Sequence, residues 1–415
     1  MKKALVIGYG VSGKGAVALL RKLGVHPAVV DQNALYIAED DLDLALDNRD
    51  YPLRDIDLVI ASPGISPEHP IVKRAQARGI EVIGEIEFAF RHLRNRCIGI
   101  TGSNGKTTVS LLVAHVLNAS GIKAKTLGNV GEALSTYALN PDDQEILVVE
   151  LSSFQLQTLK EKKLSAAAIL NITPNHLNRH TSMEEYAAAK INIQNCLTPD
   201  GVFFVSQSII GPFGHLLHTP TQVIPDTHHS SFDALKRGQA ETVNIEAAFA
   251  LCAHFGIPRN TFDQAVETFH KPPHRIEWVA EIDGVNYYND SKSTNIDSVL
   301  HAVALFPSQV VLLVGGVDKG ASYKPWIEKF QGKVKKVIAF GQAAKKMEEE
   351  LAASCVFQKV DTMAEAIQVA KQNASINETV LLSPGCSSFD QFRDYIERGE
   401  EFKRQVQELS TKENS

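Results

Sequence analysis

The chain has 415 residues, more than one hydrophobic core usually serves, so two or three domains are expected. Its 42 Lys and Arg are outweighed by 48 Asp and Glu, giving a net charge of −6 with basic residues scattered, which argues against nucleic-acid binding. Five cysteines (Cys97, Cys196, Cys252, Cys355, Cys386) without paired spacing argue against a disulfide framework or a zinc site and suit a reducing cytoplasm, and no apolar run is long enough to span a bilayer.

The opening Met1-Lys2-Lys3 with Ala4 to Ile7 imitates a secretion signal, but glycines at 8, 10 and 13 break the apolar segment, so it reads as a first strand. The turn Gly8 to Gly13, a helix through Leu23 and a second strand Ala28 to Val30 ending in Asp31 have the spacing of a dinucleotide-binding fingerprint with its ribose acid. On these residues alone an NAD enzyme is one reading, and the same turn fits any diphosphate at a helix N-terminus. Gln32 and Asn33 bring no basic residue after Asp31, which disfavours a 2′-phosphate. Ile56 to Ile60 followed by Ser62-Pro63-Gly64 adds a second turn on the same sheet edge. Strand Glu81 to Ile83 ends at a seam near Gly84, and a polar helix Glu85 to Arg94 follows.

The apolar run Cys97 to Ile100 then opens on Gly102, Ser103, Asn104, Gly105, Lys106, Thr107 and Thr108 before an amphipathic stretch. A strand, a glycine-rich turn and a helix N-terminus make a phosphate cradle in which Lys106 adds a full charge and the Thr107 hydroxyl reaches the nucleotide's magnesium. The usual spacing would put glycine where Ile100 stands, so the match is to the Gly-Lys-Thr half. Glu145 to Val149 reads as a buried parallel strand delivering Glu150 at its tip, where a magnesium ligand belongs. Ala166 to Ile172 delivers Thr173-Pro174-Asn175-His176 to the same rim. A lone histidine after a strand is more often a loop residue, and the company of Lys106 and Glu150 is what makes His176 a candidate ligand. Lys190 lies on an alanine-rich helix capped by Ser182 with Glu185 three residues on, and taken alone it is a solvated charge.

Residues 206 to 236, rich in His, Ser, Pro and Gly, read as loop with short strands. The stiff Lys271-Pro272-Pro273-His274 closes the middle domain. Strands Gln309 to Gly315, Val334 to Phe340, Val356 to Val360 and Glu378 to Ser383 alternate with helical patterns such as Met363 to Gln372, the rhythm of a third parallel sheet. Gly315-Gly316-Val317-Asp318-Lys319 after a buried strand is a glycine turn with exposed charges unless an anion site recruits it.

Nearly end to end, these segments resemble the ATP-dependent Mur ligases of peptidoglycan synthesis and their folylpolyglutamate synthase relatives. Thr101 to Thr108 is similar to the family's ATP loop, Glu150 to Gln155 to its metal-carboxylate strand and Asn171 to His176 to its histidine motif. Pro273-His274-Arg275 with Asn289-Asp290-Ser291-Lys292 is similar to its C-terminal hinge and nucleotide clamp. Leu381 to Phe392, followed by Glu397-Arg398-Gly399, is most similar to the D-glutamate-adding branch. The Asp-Asn-Pro-Arg motif of the diaminopimelate- or lysine-adding branches is absent.

The resemblance implies three α/β domains. These are a Rossmann-like UDP-sugar domain over 1–84, a central P-loop ATPase-like parallel-sheet domain over 85–271 and a C-terminal Rossmann-like amino-acid-binding domain over 272–415. It implies a cytoplasmic, monomeric enzyme joining D-glutamate to UDP-N-acetylmuramoyl-L-alanine by way of an acyl phosphate, with ATP and two Mg2+ ions. Gly10, Ser12, Asp31, Ser62, Pro63, Gly64, Asn129 and Ser152 are the implied contacts of the UDP substrate. ATP is assigned the loop from Gly102 to Thr108 with Arg275, Asp290 and Lys292, and D-glutamate is assigned Thr294, Lys319, Ser388 and Tyr395. Catalysis falls to Lys106, Glu150, His176 and Lys190, and metal to Thr107, Glu150, His176 and a carbamylated Lys190.

Asn175 and Asn178 stand where the family commonly has aspartates, Ala240 and Glu241 replace a His-Asn pair ahead of Asn244, and Tyr395 stands where the branch often carries Phe. Two readings of other classes remain: an NAD enzyme, which leaves Lys106, Glu150 and the third domain unexplained, and a non-catalytic nucleotide switch, which needs no amino-acid pocket. A sibling ligase adding another amino acid to a UDP-muramyl or folate acceptor is the nearest enzymatic alternative.

Overall fold

The computed structural model describes residues 2–32, 43–46, 50–174, 180–225, 242–270, 272–320 and 322–411. Short apolar runs set its strands. β1 (Lys3–Ile7), β2 (His26–Asp31), β3 (Asp43–Leu46), β4 (Leu58–Ala61) and β5 (Glu81–Gly84) form a parallel sheet in the order β3-β2-β1-β4-β5. Successive side chains of β1 point to opposite faces: Ala4 and Val6 join one core, Leu5 and Ile7 another. A strand covered on both faces has no polar side to alternate with, so it reads as a continuous apolar run.

The second sheet is built the same way from β6 (Cys97–Thr101), β7 (Ala124–Gly128), β8 (Ile146–Glu150), β9 (Leu164–Ile169), β10 (Leu197–Ser206) and β11 (Thr221–Ile224), in the order β11-β10-β9-β6-β8-β7. The chain leaves β6 for the far edge at β7 and later returns to its other side at β9. This reversal places a crevice at the C-terminal end of β6, where ligands of open α/β sheets bind.

A third sheet comprises β12 (Glu277–Ile282), β13 (Val285–Asn289), β14 (Val310–Gly315), β15 (Val334–Phe340), β16 (Phe357–Lys359) and β17 (Thr379–Gly385), ordered β12-β13-β17-β14-β15-β16. All its pairings are parallel except β12 with β13. That hairpin closes through Asp283 (φ 53°) and Gly284 (φ 72°), a two-residue turn suited to the twist of the flanking strands. The first two sheets belong to one compact unit, and the third, with the chain from His270 onward, to another. Among the described residues no helix is long and apolar enough to cross a membrane.

Three expectations change. The helix after β5 is not polar in its setting: it runs only Glu85–Phe90, and all six residues are buried. Glu85 accepts hydrogen bonds from the Ser135 N–H and hydroxyl at 2.6 Å each, and Glu87 accepts the N–H groups of Lys160 and Glu161 at 2.8 Å, so both carboxylates are satisfied inside the protein. Residues 206–225, read as loop with short strands, instead hold a helix (Gln207–Phe213), capped by the Ser206 hydroxyl on the Ser208 N–H, ahead of β11. The run Ala166 to Ile172 stops pairing as a strand at Ile169, because Leu170 and Asn171 turn onto the glycine loop.

Candidate active site

The glycine loop lies at the C-terminal end of β6. Gly102 (φ 154°) and Gly105 (φ 83°) take the chain from that strand into the helix Lys106–Ala119. A Cβ on Gly105 would lie 2.3 Å from Asn244 Oδ1, so the position excludes any side chain on steric grounds as well as by its φ. From the other side Asn171 clamps the loop. Its carbonyl accepts the Ser103 N–H at 2.9 Å, its Oδ1 accepts the Asn104 N–H at 2.8 Å, and its Nδ2 donates to the Asn104 carbonyl at 3.2 Å.

Lys106 Nζ reaches back to the carbonyls of Gly102 (2.9 Å) and Ser103 (3.0 Å), which holds its ammonium over the loop. Thr107 Oγ1 donates to Glu150 Oε2 at 2.7 Å, and Asn129 Nδ2 donates to Glu150 Oε1 at 2.8 Å. Glu150 ends β8 with 2 % of its surface exposed. A hydroxyl and a carboxylate beside a cationic glycine loop are hard oxygen donors, the set that suits Mg2+. Among the described residues the buried Asn244 Oδ1 has no hydrogen-bond partner, and it lies against Gly105 at the loop. These residues fit a nucleotide with its magnesium.

Lys190 overturns the solvated-charge reading, being 2 % exposed on the helix Met183–Ile191. Its amine donates to the Gly102 carbonyl at 2.8 Å and lies 4.7 Å from the Tyr186 ring centroid, while the Tyr186 hydroxyl is 3.1 Å from Ser103 Oγ. Burial first, and the Lys106 ammonium second, push its pKa well below that of an ordinary lysine. An uncharged, buried amine is the form that adds carbon dioxide.

On the first sheet, Gly8 (φ 88°) turns the chain out of β1, and Gly10 precedes the helix Val11–Lys22 that carries Ser12. Asp31 Oδ2 accepts the Tyr9 N–H at 2.5 Å, and Ser62 Oγ donates to the Gly8 carbonyl at 2.9 Å, with Pro63 and Gly64 following. The residues assigned to the UDP substrate on this sheet are therefore gathered at one rim. Asn129 and Ser152 follow β7 and β8 of the second sheet, where Ser152 caps a short helix in a capping box with Gln155. A Cβ on Gly13 would fall 1.9 Å from the Gly8 carbonyl oxygen. Gly13→Ala is thus expected to force the turn open and destabilise the protein by about 1–3 kcal/mol, read as a lower thermal midpoint.

In the second unit, Asp290 is buried at the end of β13, accepts the Ser383 hydroxyl at 2.9 Å and has its carboxyl pushed up to about 6 by burial. Lys292 Nζ sits 3.8 Å from the Tyr395 ring centroid, and the buried His274 meets the same ring edge-on at 6.2 Å. Arg275 lies in the segment between them, where His274 (φ 65°) and Ile276 (φ 50°) are both left-handed. Lys319 Nζ donates to the Thr294 carbonyl at 2.8 Å, and Ser388 is buried on the loop after β17, so Thr294, Lys319 and Ser388 come from three neighbouring strand ends. Burial lowers the Lys319 pKa.

His176, with Asn175 and Asn178, and the Ala240-Glu241 pair lie outside the described residues. Sequence reasoning gave no role to Asn171, Asn289 or Arg398, all inside the motifs it quoted. The signal for Asn171 was its place at the end of the strand beside the loop. Arg398 entered only as part of the Glu397-Arg398-Gly399 motif, with no sign in the sequence that it is fully buried.

Three family models match the chain: the Mur ligase MurD-like N-terminal domain over residues 2–84, the Mur ligase middle domain over 100–209 and the Mur ligase glutamate ligase domain over 274–386. A Protochlamydia amoebophila protein named UDP-N-acetylmuramoylalanine–D-glutamate ligase is 44% identical, with 98% of each chain covered. One of the same name from Chlamydia abortus is 37% identical at the same coverage. Among solved structures, the Thermotoga maritima MurF ligase in complex with ADP superposes with a TM-score of 0.61 over 99% of this chain and 96% of that one, at 15% identity. The Thermotoga maritima UDP-N-acetylmuramate-alanine ligase MurC gives 0.59 over 99% and 100%, also at 15%. With matches of this extent laid over the glycine loop, the Glu150 carboxylate and the third sheet, the chain belongs to the Mur ligase family.

Proposed function

We propose that the chain is an ATP-dependent ligase that joins D-glutamate to UDP-N-acetylmuramoyl-L-alanine, acting in the cytoplasm as a monomer. The observation that carries this reading is the constellation of Lys106 with the buried Thr107, Glu150 and Lys190 in a chain that aligns over 98% with D-glutamate ligases. The three segments 1–84, 85–271 and 272–415 take the UDP substrate, ATP and the amino acid respectively. Gly10, Ser12, Asp31 and the Ser62–Gly64 turn receive the UDP moiety, with Asn129 and Ser152 meeting the rest of that substrate.

Lys106 and the loop N–H groups hold the β- and γ-phosphates, with Arg275, Asp290 and Lys292 completing the nucleotide site. The alanyl carboxylate oxygen attacks the γ-phosphorus, an O–P bond forms as the bond to ADP breaks, and an acyl phosphate results. Thr107 and Glu150 would hold one Mg2+, and His176 with carbamylated Lys190 a second; bound there, the metal supplies neutralisation of phosphate charge. The D-glutamate amine, oriented by Thr294, Lys319, Ser388 and Tyr395, then attacks the acyl carbon. The amine loses a proton and the C–O bond to phosphate breaks. Since the reacting groups belong to the substrates, the chain's own residues act chiefly by positioning and by charge.

A phosphate-release panel crossing UDP-N-acetylmuramoyl-L-alanine and folate with a set of amino acids tests this. Release is expected only with the UDP acceptor and D-glutamate together, and equal use of L-lysine or diaminopimelate overturns the amino-acid assignment. Lys319→Ala should raise the KM for D-glutamate about ten- to a hundredfold, the loss of one charge-assisted contact, with the KM for ATP little changed.

A further inference from the structure

Arg398 is the second-largest of the fully buried side chains and stands on the C-terminal helix Tyr395–Thr411. Its guanidinium is spent on the ends of three strands. Nε donates to Ser291 Oγ at 2.9 Å, Nη2 to the carbonyls of Ser291 (2.8 Å) and Cys386 (3.2 Å), and Nη1 to the Gly315 carbonyl at 3.4 Å. These acceptors lie after β13, at the end of β14 and after β17, on the loops that carry Thr294, Lys319 and Ser388. The packing leaves no slack: a Cβ on Gly316 would fall 2.1 Å from the Ser387 carbonyl and 3.1 Å from Arg398 Nη1.

What the guanidinium lacks is a directly bonded counter-ion. All four acceptors are uncharged, and among the described residues no carboxylate forms an ion pair with it. Asp318 is taken by Lys346 Nζ at 2.9 Å and by the Tyr323 hydroxyl at 2.8 Å. Asp290, which accepts the Ser383 hydroxyl, and Asp390, which accepts the Gln342 N–H at 3.0 Å, act on the guanidinium without bonding to it, and burial pushes the Cys386 thiol up to about 11, so that group is neutral. Burial lowers Arg398 to about 10, which still leaves it charged at neutral pH. A buried cation without a direct ion pair is only partly offset by more distant carboxylates, which leaves positive charge beneath these loops.

We infer that Arg398 is a specificity-determining positioning residue: it ties together the three loops of the amino-acid pocket and sets beneath them a positive charge that favours an acidic amino acid. This rests on the reading of Thr294, Lys319 and Ser388 as that pocket. It assigns two jobs to one group, since the hydrogen bonds hold geometry and the charge selects a side-chain carboxylate over its amide.

The variants R398Q and R398K separate these jobs, because the first keeps N–H donors without charge and the second keeps charge without the fork. The readout is the ratio of kcat/KM for D-glutamate to that for D-glutamine, in phosphate release with UDP-N-acetylmuramoyl-L-alanine and ATP. R398Q is expected to lower the ratio about tenfold or more, with the KM for ATP unchanged, while R398K weakens both amino acids alike and keeps the ratio within about threefold. A ratio preserved in R398Q overturns the inference and leaves a merely structural arginine. If melting shows that R398Q does not fold, R398K decides: a preserved ratio supports the role of charge, and a collapsed one overturns it. Should the unmodified protein fail to use D-glutamate at all, the pocket reading itself falls, an outcome separate from either.

Discussion

Replacing Lys106 by alanine is expected to lower ATP-dependent phosphate release by about 10³-fold or more, because the loop loses the only full charge it directs at the phosphates. The ammonium lies over the Gly102 and Ser103 carbonyls and needs only a short swing to meet an anion at the helix N-terminus. Removing it leaves the backbone cradle, so some nucleotide binding persists while transition-state stabilisation is lost. Calorimetry with UDP-N-acetylmuramoyl-L-alanine should show binding within about twofold of the parent, since the UDP moiety is assigned to the first sheet and none of this substrate's assigned contacts is Lys106. Equal loss of both activities would refute the division of labour between the two sheets.

Lys190→Ala is expected to be inactive, and its activity to return in part when acetate or formate is added. The buried amine donates to the same Gly102 carbonyl as Lys106, and burial lowers its pKa, which favours the uncharged form that can take up carbon dioxide. The resulting carbamate is a carboxylate on a long stem, so a small free carboxylate can occupy the space that alanine vacates. Restoration of even a few per cent by acetate, but not by methylammonium, identifies the missing group as an anion. Full activity in the variant without any additive would return Lys190 to a packing role.

The phosphate loop was legible because three local signals agreed: an apolar strand, glycines where the backbone turns left-handed, and a lysine at the helix start. Glu150 followed from the simple rule that a parallel strand delivers its last residue to the functional rim. Other features were hidden because burial depends on partners distant in sequence. Lys190 on an alanine-rich helix and Arg398 among acidic neighbours look solvated until the fold brings Gly102 to one and Ser291, Gly315 and Cys386 to the other. Glu85 and Glu87 misled for the same reason, their hydrogen-bond donors lying some 50 and 73 residues away. The β12–β13 hairpin escaped because its exposed edge lacks the unbroken apolar run that marked the inner strands.

The helix Glu85–Phe90 bears on how this protein can be taken apart or recombined. Its carboxylates grip Ser135 and the Lys160–Glu161 backbone, and Val17 and Leu20 beside the first sheet share one continuous core with Phe88, Leu134 and Leu147. A fragment ending at Gly84 would bare that apolar face to water and aggregate. A chimera that borrows a relative's first sheet must therefore carry the matching helix and the segment around Leu134 with it, or the graft will meet an incompatible surface. The place where the chain crosses from one sheet to the next is not a place where it can be cut.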